Sequence, residues 1–551
     1  MKTQLDYAYG WERSRPDARW LVQPMGGGRI RAFTWREGLD EARRMAAYLA
    51  SLELPRPSQI AIFAKNNAWW ILADLAIWMS GHVSVPLYPT LTAETIRQIL
   101  EHSESRLIFI GKLDGLPAME PGIPDTLPRI VMPLAPATRG EPWADIVART
   151  APVEGQPSRQ PDELATIIYT SGSTGVPKGV MHSFRTMTAA YEALMQTLEV
   201  RVEDRMLSYL PLAHAFERWI LETGTLVAGF EVFFAESLET FVDDLRRARP
   251  TLFVSVPRLW QKFQSGVFEK VPPDKLERLL RIPILSYFVK RKILRGLGLD
   301  AVRFAGSGSA PIAPELLAWY RRLGLELLEG YGMTENFSLS HASRPGEVRV
   351  GYVGRPYDVC EQRITEEGEV LVRSPGTMLG YFKAPELTAE VLTPDGWLRT
   401  GDRGEIDEMG RLRITGRVKE LFKTSKGKYV APAPIENRLL EHPDLEQACV
   451  SGHGRPQPFG LVVLAPAARS RAKAQDGRER LQAALREHLA AVNGALDPHE
   501  QLEFLAVSTD EWTIENGMLT PTLKLRRAAI EERYAPRVDE WYAAGQPIVW
   551  V

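Results

Sequence analysis

Cysteine is nearly absent: only Cys360 and Cys449 occur in 551 residues. A disulfide framework therefore carries none of the stability, and a reducing, cytoplasmic setting is expected. No Cys/His cluster has the spacing of a zinc site. A basic excess is missing too. The chain has 67 Lys and Arg against 69 Asp and Glu, a formal net charge of −2, which argues against a nucleic-acid partner. Long apolar runs are also lacking. The most apolar window, 69–88, is interrupted by Asp74, Gly81, His82 and Pro86, whereas a bilayer span needs about 20 mostly apolar residues. A buried helix followed by a buried strand is expected there. No apolar stretch follows Met1-Lys2-Thr3-Gln4-Leu5-Asp6, so no secretory signal is expected.

What is present is a globular composition, 44% hydrophobic and 25% charged, in a chain long enough for three or four structural units of roughly 100–200 residues. Short apolar runs alternate with helical patterns over most of the length. Examples are Ile60-Ala61-Ile62-Phe63, Leu107-Ile108-Phe109-Ile110, Thr166-Ile167-Ile168-Tyr169 and Thr251-Leu252-Phe253-Val254. Such runs predict parallel sheets covered on both faces. Residues 93–102 place Ile96, Ile99 and Leu100 on one helical face, and 239–249 do the same with Phe241, Val242 and Leu245. After about Pro356 the texture changes. Glu369-Val370-Leu371-Val372 and Arg411-Leu412-Arg413-Ile414 read as strands of a smaller β unit separated by Gly and Asp turns. A charged stretch follows Gly416, and a βα pattern then runs to the end. A domain boundary is expected near Lys419, giving domains 1–418 and 419–551.

The strongest local signal is Thr170-Ser171-Gly172-Ser173-Thr174-Gly175-Val176-Pro177-Lys178-Gly179, directly after a strand-like run. Glycines bring backbone N–H groups close to an anion, hydroxyls add donors, and Lys178 adds charge. The chemistry suits a polyphosphate. It is not the usual nucleoside-triphosphatase loop, because the lysine precedes a glycine and is not followed by Ser or Thr. The plain alternative is a flexible Gly/Ser loop.

This loop resembles the signature of the acyl-adenylate-forming superfamily, which includes acyl-CoA ligases, peptide-synthetase adenylation domains and beetle luciferases. Four further stretches match in order: Tyr331-Gly332-Met333-Thr334-Glu335, Gly396-Trp397-Leu398-Arg399-Thr400-Gly401-Asp402, Ile414-Thr415-Gly416-Arg417 and Leu519-Thr520-Pro521-Thr522-Leu523-Lys524-Leu525-Arg526-Arg527. Together they span roughly residues 10 to 540. Leu210-Pro211-Leu212-Ala213-His214-Ala215-Phe216-Glu217-Arg218, Val256-Pro257-Arg258-Leu259-Trp260 and the Pro-Thr-Leu-Lys-Leu-Arg-Arg run resemble the long-chain fatty-acyl branch. The implied fold is α/β: a large domain of two layered α/β subdomains plus a small β-barrel-like unit, then a small mobile α+β domain.

The resemblance also implies roles, with ATP, Mg²⁺ and coenzyme A as co-substrates and cofactor. Lys178 and the loop residues Thr170, Ser171, Gly172, Ser173, Thr174 and Gly175 would hold the β- and γ-phosphates. Thr334 would touch the α-phosphate. Glu335 would bind Mg²⁺ with Thr174, as suits a hard oxygen ligand. Tyr331, flanked by Gly330, Gly332 and Met333, would stack on adenine opposite Ser307-Gly308-Ser309-Ala310. Asp402 would accept the ribose hydroxyls with Arg417, and Ile414 lies in the same nucleotide-binding stretch. Lys524 would bridge the acyl carboxylate and the α-phosphate. Lys419 matches a hinge, about which the small domain would rotate to bring in the loop Thr424–Tyr429, where Gly427 would let pantetheine pass. His214 would gate the acyl site, a core histidine being the bland alternative. Taken singly, Glu335 reads as a surface carboxylate, Asp402 as a turn residue and Lys524 as a solvated lysine; only their motifs reverse this. The serines of 305–310 and the stretches 449–454 and 458–460 depart from the pattern and leave acyl preference open.

The reaction so implied is activation of a fatty acid, medium- to long-chain, as acyl-AMP and its transfer to coenzyme A. One competing reading is an adenylating enzyme that passes its acyl group to a carrier protein or other acceptor, or reacts it intramolecularly. A second is a catalytically silent lipid- or nucleotide-binding relative, against which Lys178, Glu335, Asp402, Arg417 and Lys524 argue. A third is a kinase or ATPase. Finally, 275–299 interleaves seven basic residues with apolar ones, a composition suited to weak peripheral contact with an anionic lipid surface. Pro283 breaks the run, so a helix is expected after it. The competing expectation is an ordinary core-packing helix with a solvated basic face.

Overall fold

The structure, a computed structural model, describes every residue except 172–176, 311 and 521–522, and no side chain is described for Ser171. The chain forms two compact units. The first comprises Met1–Arg363, Leu371–Arg399 and Glu408–Leu412; the second comprises Ile364–Val370, Thr400–Asp407 and Arg413–Val551.

The first unit bears out the alternation read from the sequence. Strands Gln59–Phe63, Val83–Leu87, Leu107–Ile110 and Arg129–Val131 run parallel in an eight-stranded sheet. Their apolar continuity has its expected cause: both faces are covered. The helix Ala68–Met79 is buried on every side, as is Val83–Leu87, matching the helix-then-strand expectation for 69–88. Helix Ala93–Ser103 buries Ile96, Ile99 and Leu100, and helix Phe241–Ala248 buries Phe241 and Leu245. A second sheet carries the parallel strands Leu252–Ser255, Phe304–Ser307 and Leu327–Tyr331. A third is built from Arg205–Ser208, Glu231–Phe234, Arg19–Pro24 and Ile30–Thr34.

A buried ion cluster ties the segment after His214 to the first sheet. Arg218 is fully buried, pairs with Asp74 and Glu222, and donates to Ser84 Oγ at 3.0 Å. It opens a π-helical turn, Arg218–Thr223. Burial and the neighbouring Asp74 push the Glu222 carboxyl well above its ordinary range.

In the second unit, strands Leu445–Ser451, Phe459–Leu464, Leu505–Ser508 and Ile548–Trp550 form one sheet, packed on helices Pro432–Leu439 and Gln475–Gly494 through Leu439, Leu485 and Leu489. Lys419 lies in the short turn Val418–Glu420 of this unit. Both cysteines are free and buried, and burial raises the Cys360 thiol to about 12. Among the described residues no helix is long and apolar enough to cross a membrane.

Two helices, Pro273–Leu280 and Pro283–Leu297, occupy the basic segment. The sequence predicted only the second. Pro283 sits at its first position, where a missing N–H costs nothing, so the proline separates two helices and starts the latter.

Candidate active site

The phosphate-loop motif lies between two antiparallel strands, not between a strand and a helix. Leu164–Ser171 pairs with Pro177–Ser183, with Thr170 opposite Lys178 and Ser171 opposite Pro177. Gly172, Ser173, Thr174 and Gly175 fall outside the described residues. Lys178 therefore projects from a strand whose register is fixed on one side by Leu164–Ser171 and on the other by Gly380–Tyr381. That second pairing brings in Tyr381. Its ring lies 5.4 Å from Lys178 Nζ, and its hydroxyl donates to Glu335 Oε1 at 2.8 Å. One side chain thus joins the cation of the loop motif to the carboxylate of the Tyr-Gly-Met-Thr-Glu motif. Burial, reinforced by Glu335, holds the Tyr381 phenol far above its ordinary range, so it is a standing donor.

The Thr334–Asn336 turn is fixed from the same strand. His182 Nε2–H donates to the Thr334 carbonyl at 2.7 Å. Burial lowers the His182 imidazole to about 4, so it stays neutral near pH 7. The Met378 N–H donates to the Glu335 carbonyl at 2.8 Å, and the Met333 N–H to Asn336 Oδ1 at 3.0 Å. Gly332 is required by space: a Cβ there would lie 2.4 Å from the Ser338 carbonyl oxygen. Thr334 is buried, whereas Glu335 is half-buried.

Tyr331 ends the strand Leu327–Tyr331 opposite His341, their rings 5.9 Å apart. Gly330 precedes it, and a Cβ on Gly308 would come within 3.5 Å of the Gly330 carbonyl oxygen and 3.9 Å of the Phe216 ring. The two glycine-bearing strands and Phe216 therefore meet at one place. Ser309 is exposed with φ +68° beside exposed Ala310. His214 caps the turn Ala215–Glu217, its Nδ1 accepting the Phe216 N–H at 3.1 Å, and meets the Tyr88 ring edge-on at 6.2 Å. Asn66 holds this loop: its Nδ2 donates to the Leu210 carbonyl at 2.6 Å, and its Oδ1 accepts the Leu212 N–H at 3.0 Å. Glu217 accepts from Ser208 Oγ and the Tyr209 N–H, both at 3.2 Å, and burial lifts its carboxyl to about 8.

Behind the glycines, Glu329 pairs in register with Ser307, and the Ser343 N–H donates to its carbonyl at 2.7 Å. Glu329 Oε1, Ser307 Oγ and Ser343 Oγ are buried without hydrogen-bond partners, and burial raises the Glu329 carboxyl to about 8.

In the second unit Asp402 is buried and paired with Arg417 Nε at 3.0 Å. Its N–H donates to Thr400 Oγ1 at 3.1 Å, and that hydroxyl donates to the Val370 carbonyl at 2.7 Å. Half-buried Ile414 lies on the strand Leu412–Arg417. The loop expected to admit pantetheine is the turn of a hairpin, Phe422–Lys423 with Tyr429–Val430. There Gly427 has φ +77°, and a Cβ would meet only the Lys423 side chain at 3.9 Å, so conformation, not crowding, calls for glycine. Lys524 is exposed on a tight hairpin: the Thr520 N–H donates to its carbonyl at 2.8 Å, its own N–H donates to Thr520 Oγ1 at 3.0 Å, and Leu519 bridges Leu525. Pro521 and Thr522 are outside the described residues. Arg527 anchors the hairpin's exit, donating to Glu436 Oε1 at 2.7 Å and the Val450 carbonyl at 2.8 Å.

The donor set fits a hard divalent ion shared with phosphate. Among the described residues no cluster of three or more His, Cys, Asp or Glu could cage a metal. Mg²⁺ needs no such cage: one or two carboxylates plus substrate phosphates suffice, and Glu335, held in place by Tyr381, could supply one such carboxylate. Sequence reasoning missed Tyr381, His182 and Asn66.

The chain matches the family model of the AMP-binding enzyme over residues 10–382 and that of the AMP-binding enzyme C-terminal domain over 420–546. It is 30% identical to the long-chain-fatty-acid–CoA ligase FadD15 of Mycobacterium bovis, covering 97% of this chain and 96% of that one. It is 30% identical to human long-chain-fatty-acid–CoA ligase 6, covering 88% and 78%. Among solved structures, the adenylation domain of a carboxylate reductase from Mycobacterium chelonae superposes with TM-score 0.81 at 24% identity, covering 98% of this chain and 91% of that one. An anthranilate CoA ligase in complex with anthranoyl-AMP gives 0.77 at 20%, covering 99% and 98%. These two likenesses speak for the fold. The chain belongs to the family of AMP-binding enzymes, on the branch of the long-chain fatty-acid–CoA ligases.

Proposed function

We propose that this chain joins a medium- to long-chain fatty acid to coenzyme A in two steps. The acid's carboxylate attacks the α-phosphate of ATP, forming acyl-AMP and releasing pyrophosphate. The thiol of coenzyme A then attacks the acyl carbon, losing its proton and releasing AMP. Near-full-length similarity to ligases named for long-chain fatty acids supports this reading. The single observation that carries the chemistry is the joining of Lys178 and Glu335 through Tyr381, because phosphoryl chemistry depends on placing cations about crowded negative charge.

In this reading Lys178, with Thr170, Ser171 and the loop residues, balances the β- and γ-phosphates. Thr334, its carbonyl fixed by His182, contacts the α-phosphate. Glu335, with Thr174, is the Mg²⁺ ligand, and the metal when bound supplies neutralising charge to the phosphate oxygens. Tyr331 and the Ser309–Ala310 segment hold adenine, Asp402 holds the ribose with Arg417 fixing its orientation, and His214 borders the acyl group. Lys524 serves adenylate formation. Lys419 is the hinge of a mobile domain beginning at residue 419, and Gly427 serves the thioester step. We further propose a cytoplasmic enzyme with peripheral attachment to membrane lipid.

The test is exchange of labelled pyrophosphate into ATP. It should require a fatty acid and Mg²⁺ but no coenzyme A. Exchange without added acid, or none with any acid, would reject the two-step reading.

A further inference from the structure

The helix Pro283–Leu297 is attached to its unit along a narrow stripe. Ser286 is its one buried residue. Val289, Ile293, Leu294 and Leu297 pack, half-buried, on the cluster around Trp260 and Tyr320. The opposite side starts with apolar groups in water. Ile284 is 78% exposed, Tyr287 and Phe288 are 60% exposed, and Ile282 and Leu285 stand exposed beside them. The Tyr287 and Phe288 rings lie edge to face, 5.5 Å apart. A core-packing helix with a solvated basic face does not look like this. Single exposed apolar residues are ordinary, and elsewhere among the described residues they are scattered, as at Leu238, Met409 and Leu523. Five within 282–288 form a patch of the kind that marks an interaction surface.

The same helix ends in positive charge. Residues 275–299 contain seven basic residues and one acid, Glu277, which Arg322 neutralises. At the C-terminal end Arg246, Arg249, Lys292 and Arg295 line an open depression of ≈ 500 Å³. Its one acidic residue, Asp300, is paired with Arg249 at 2.9 Å.

We propose that 282–288 and the basic depression together dock this protein on an anionic lipid bilayer. An α-helix rises about 1.5 Å per residue, so Lys292 and Arg295 lie about 6 and 10 Å along the axis from Phe288. Interfacial helices bury their apolar side about 5–10 Å into the headgroup boundary. A tilted helix therefore sinks Ile284, Tyr287 and Phe288 among acyl chains while the basic end stays level with the phosphates. The charge selects the occupant. A second copy of this chain seated on the patch would bring like charges together, which opposes pairing, whereas lipid phosphate complements them. The apolar patch alone would not distinguish the two. The proposal does not rest on the acyl chemistry, since binding to lipid needs neither ATP nor acid.

Flotation of the full-length protein with vesicles tests it. The protein should float with phosphatidylglycerol-containing vesicles at low salt, be released at high salt, and not float with phosphatidylcholine alone. Tyr287→Ser with Phe288→Ser should lower the bound fraction on the order of tenfold or more. Lys290→Gln with Arg291→Gln and Lys292→Gln should do the same. All five side chains lie at the surface or half-buried, and unchanged thermal unfolding would show that the variants fold. Absence of flotation at low salt, or equal flotation by folded variants, would overturn the proposal. So would lipid-free dimerisation that the Tyr287 and Phe288 substitutions abolish, because the patch would then serve a second copy.

Discussion

The Tyr381 hydroxyl donates to Glu335 Oε1 at 2.8 Å, across 46 positions of sequence, while its ring faces Lys178. A hydrogen bond to a charged group is worth about 1.5–3 kcal/mol. Tyr381→Phe should therefore raise the Mg²⁺ concentration needed for half-maximal rate and lower kcat roughly tenfold. Glu335→Gln should do both more severely, because it removes the ligand's charge and not only its support. A metal titration of both variants checks this, and an unchanged Mg²⁺ dependence in Glu335→Gln would remove Glu335 as a ligand.

Asp402 is buried and oriented by Arg417, Thr400 and its own backbone turn. Asp402→Asn keeps the shape and halves the acceptor capacity toward two ribose hydroxyls. The KM for ATP should rise about tenfold, with a smaller change in kcat, as befits a group that binds ground state and transition state alike. A fall confined to kcat would place Asp402 outside the ribose site.

Burial lifts Glu329 from its usual range to about 8. The folded state thus holds a proton that the unfolded chain releases near pH 4.5, so this group's stability contribution is complete below that pH and is lost as pH rises through about 8. Glu329→Gln has no proton to lose. Its stability relative to the parent should increase with pH between about 4.5 and 8, by a few kcal/mol in all. Denaturant melts at several pH values measure this, and a flat difference would mean that Glu329 is ionised in the folded protein.

Lys524 sits on a hairpin held by Thr520 and anchored through Arg527. Lys524→Ala should abolish adenylate formation yet largely spare thioester formation from supplied acyl-AMP. Equal loss of both half-reactions would argue against separate assignments for the two steps.

The sequence made the sheets legible because a strand buried on both faces must be continuously apolar, as 60–63 and 107–110 are. The loop motif stood out because glycines, hydroxyls and a lysine directly after a strand suit an anion, whereas the Tyr-Gly-Met-Thr-Glu stretch was legible only through its family resemblance. Tyr381 and His182 were invisible for the opposite reason. Each bonds a partner far away in the sequence that only the tertiary fold brings near, and a lone Tyr or His carries no motif. The strand that carries Lys178 was not read from the sequence, because Pro177, Lys178 and Gly179 carry no alternating apolar pattern. Exposure of 282–288 was equally unreadable, because periodicity shows that a helix has two faces but not which of them finds a partner.

The most direct test of the account is AMP release by the purified protein across free acids from acetate to oleate, with and without coenzyme A. The account predicts release that requires both acid and coenzyme A and is fastest with the medium- to long-chain acids, with acyl-CoA formed in equal amount. AMP release indifferent to coenzyme A, or absent with every acid, would contradict it.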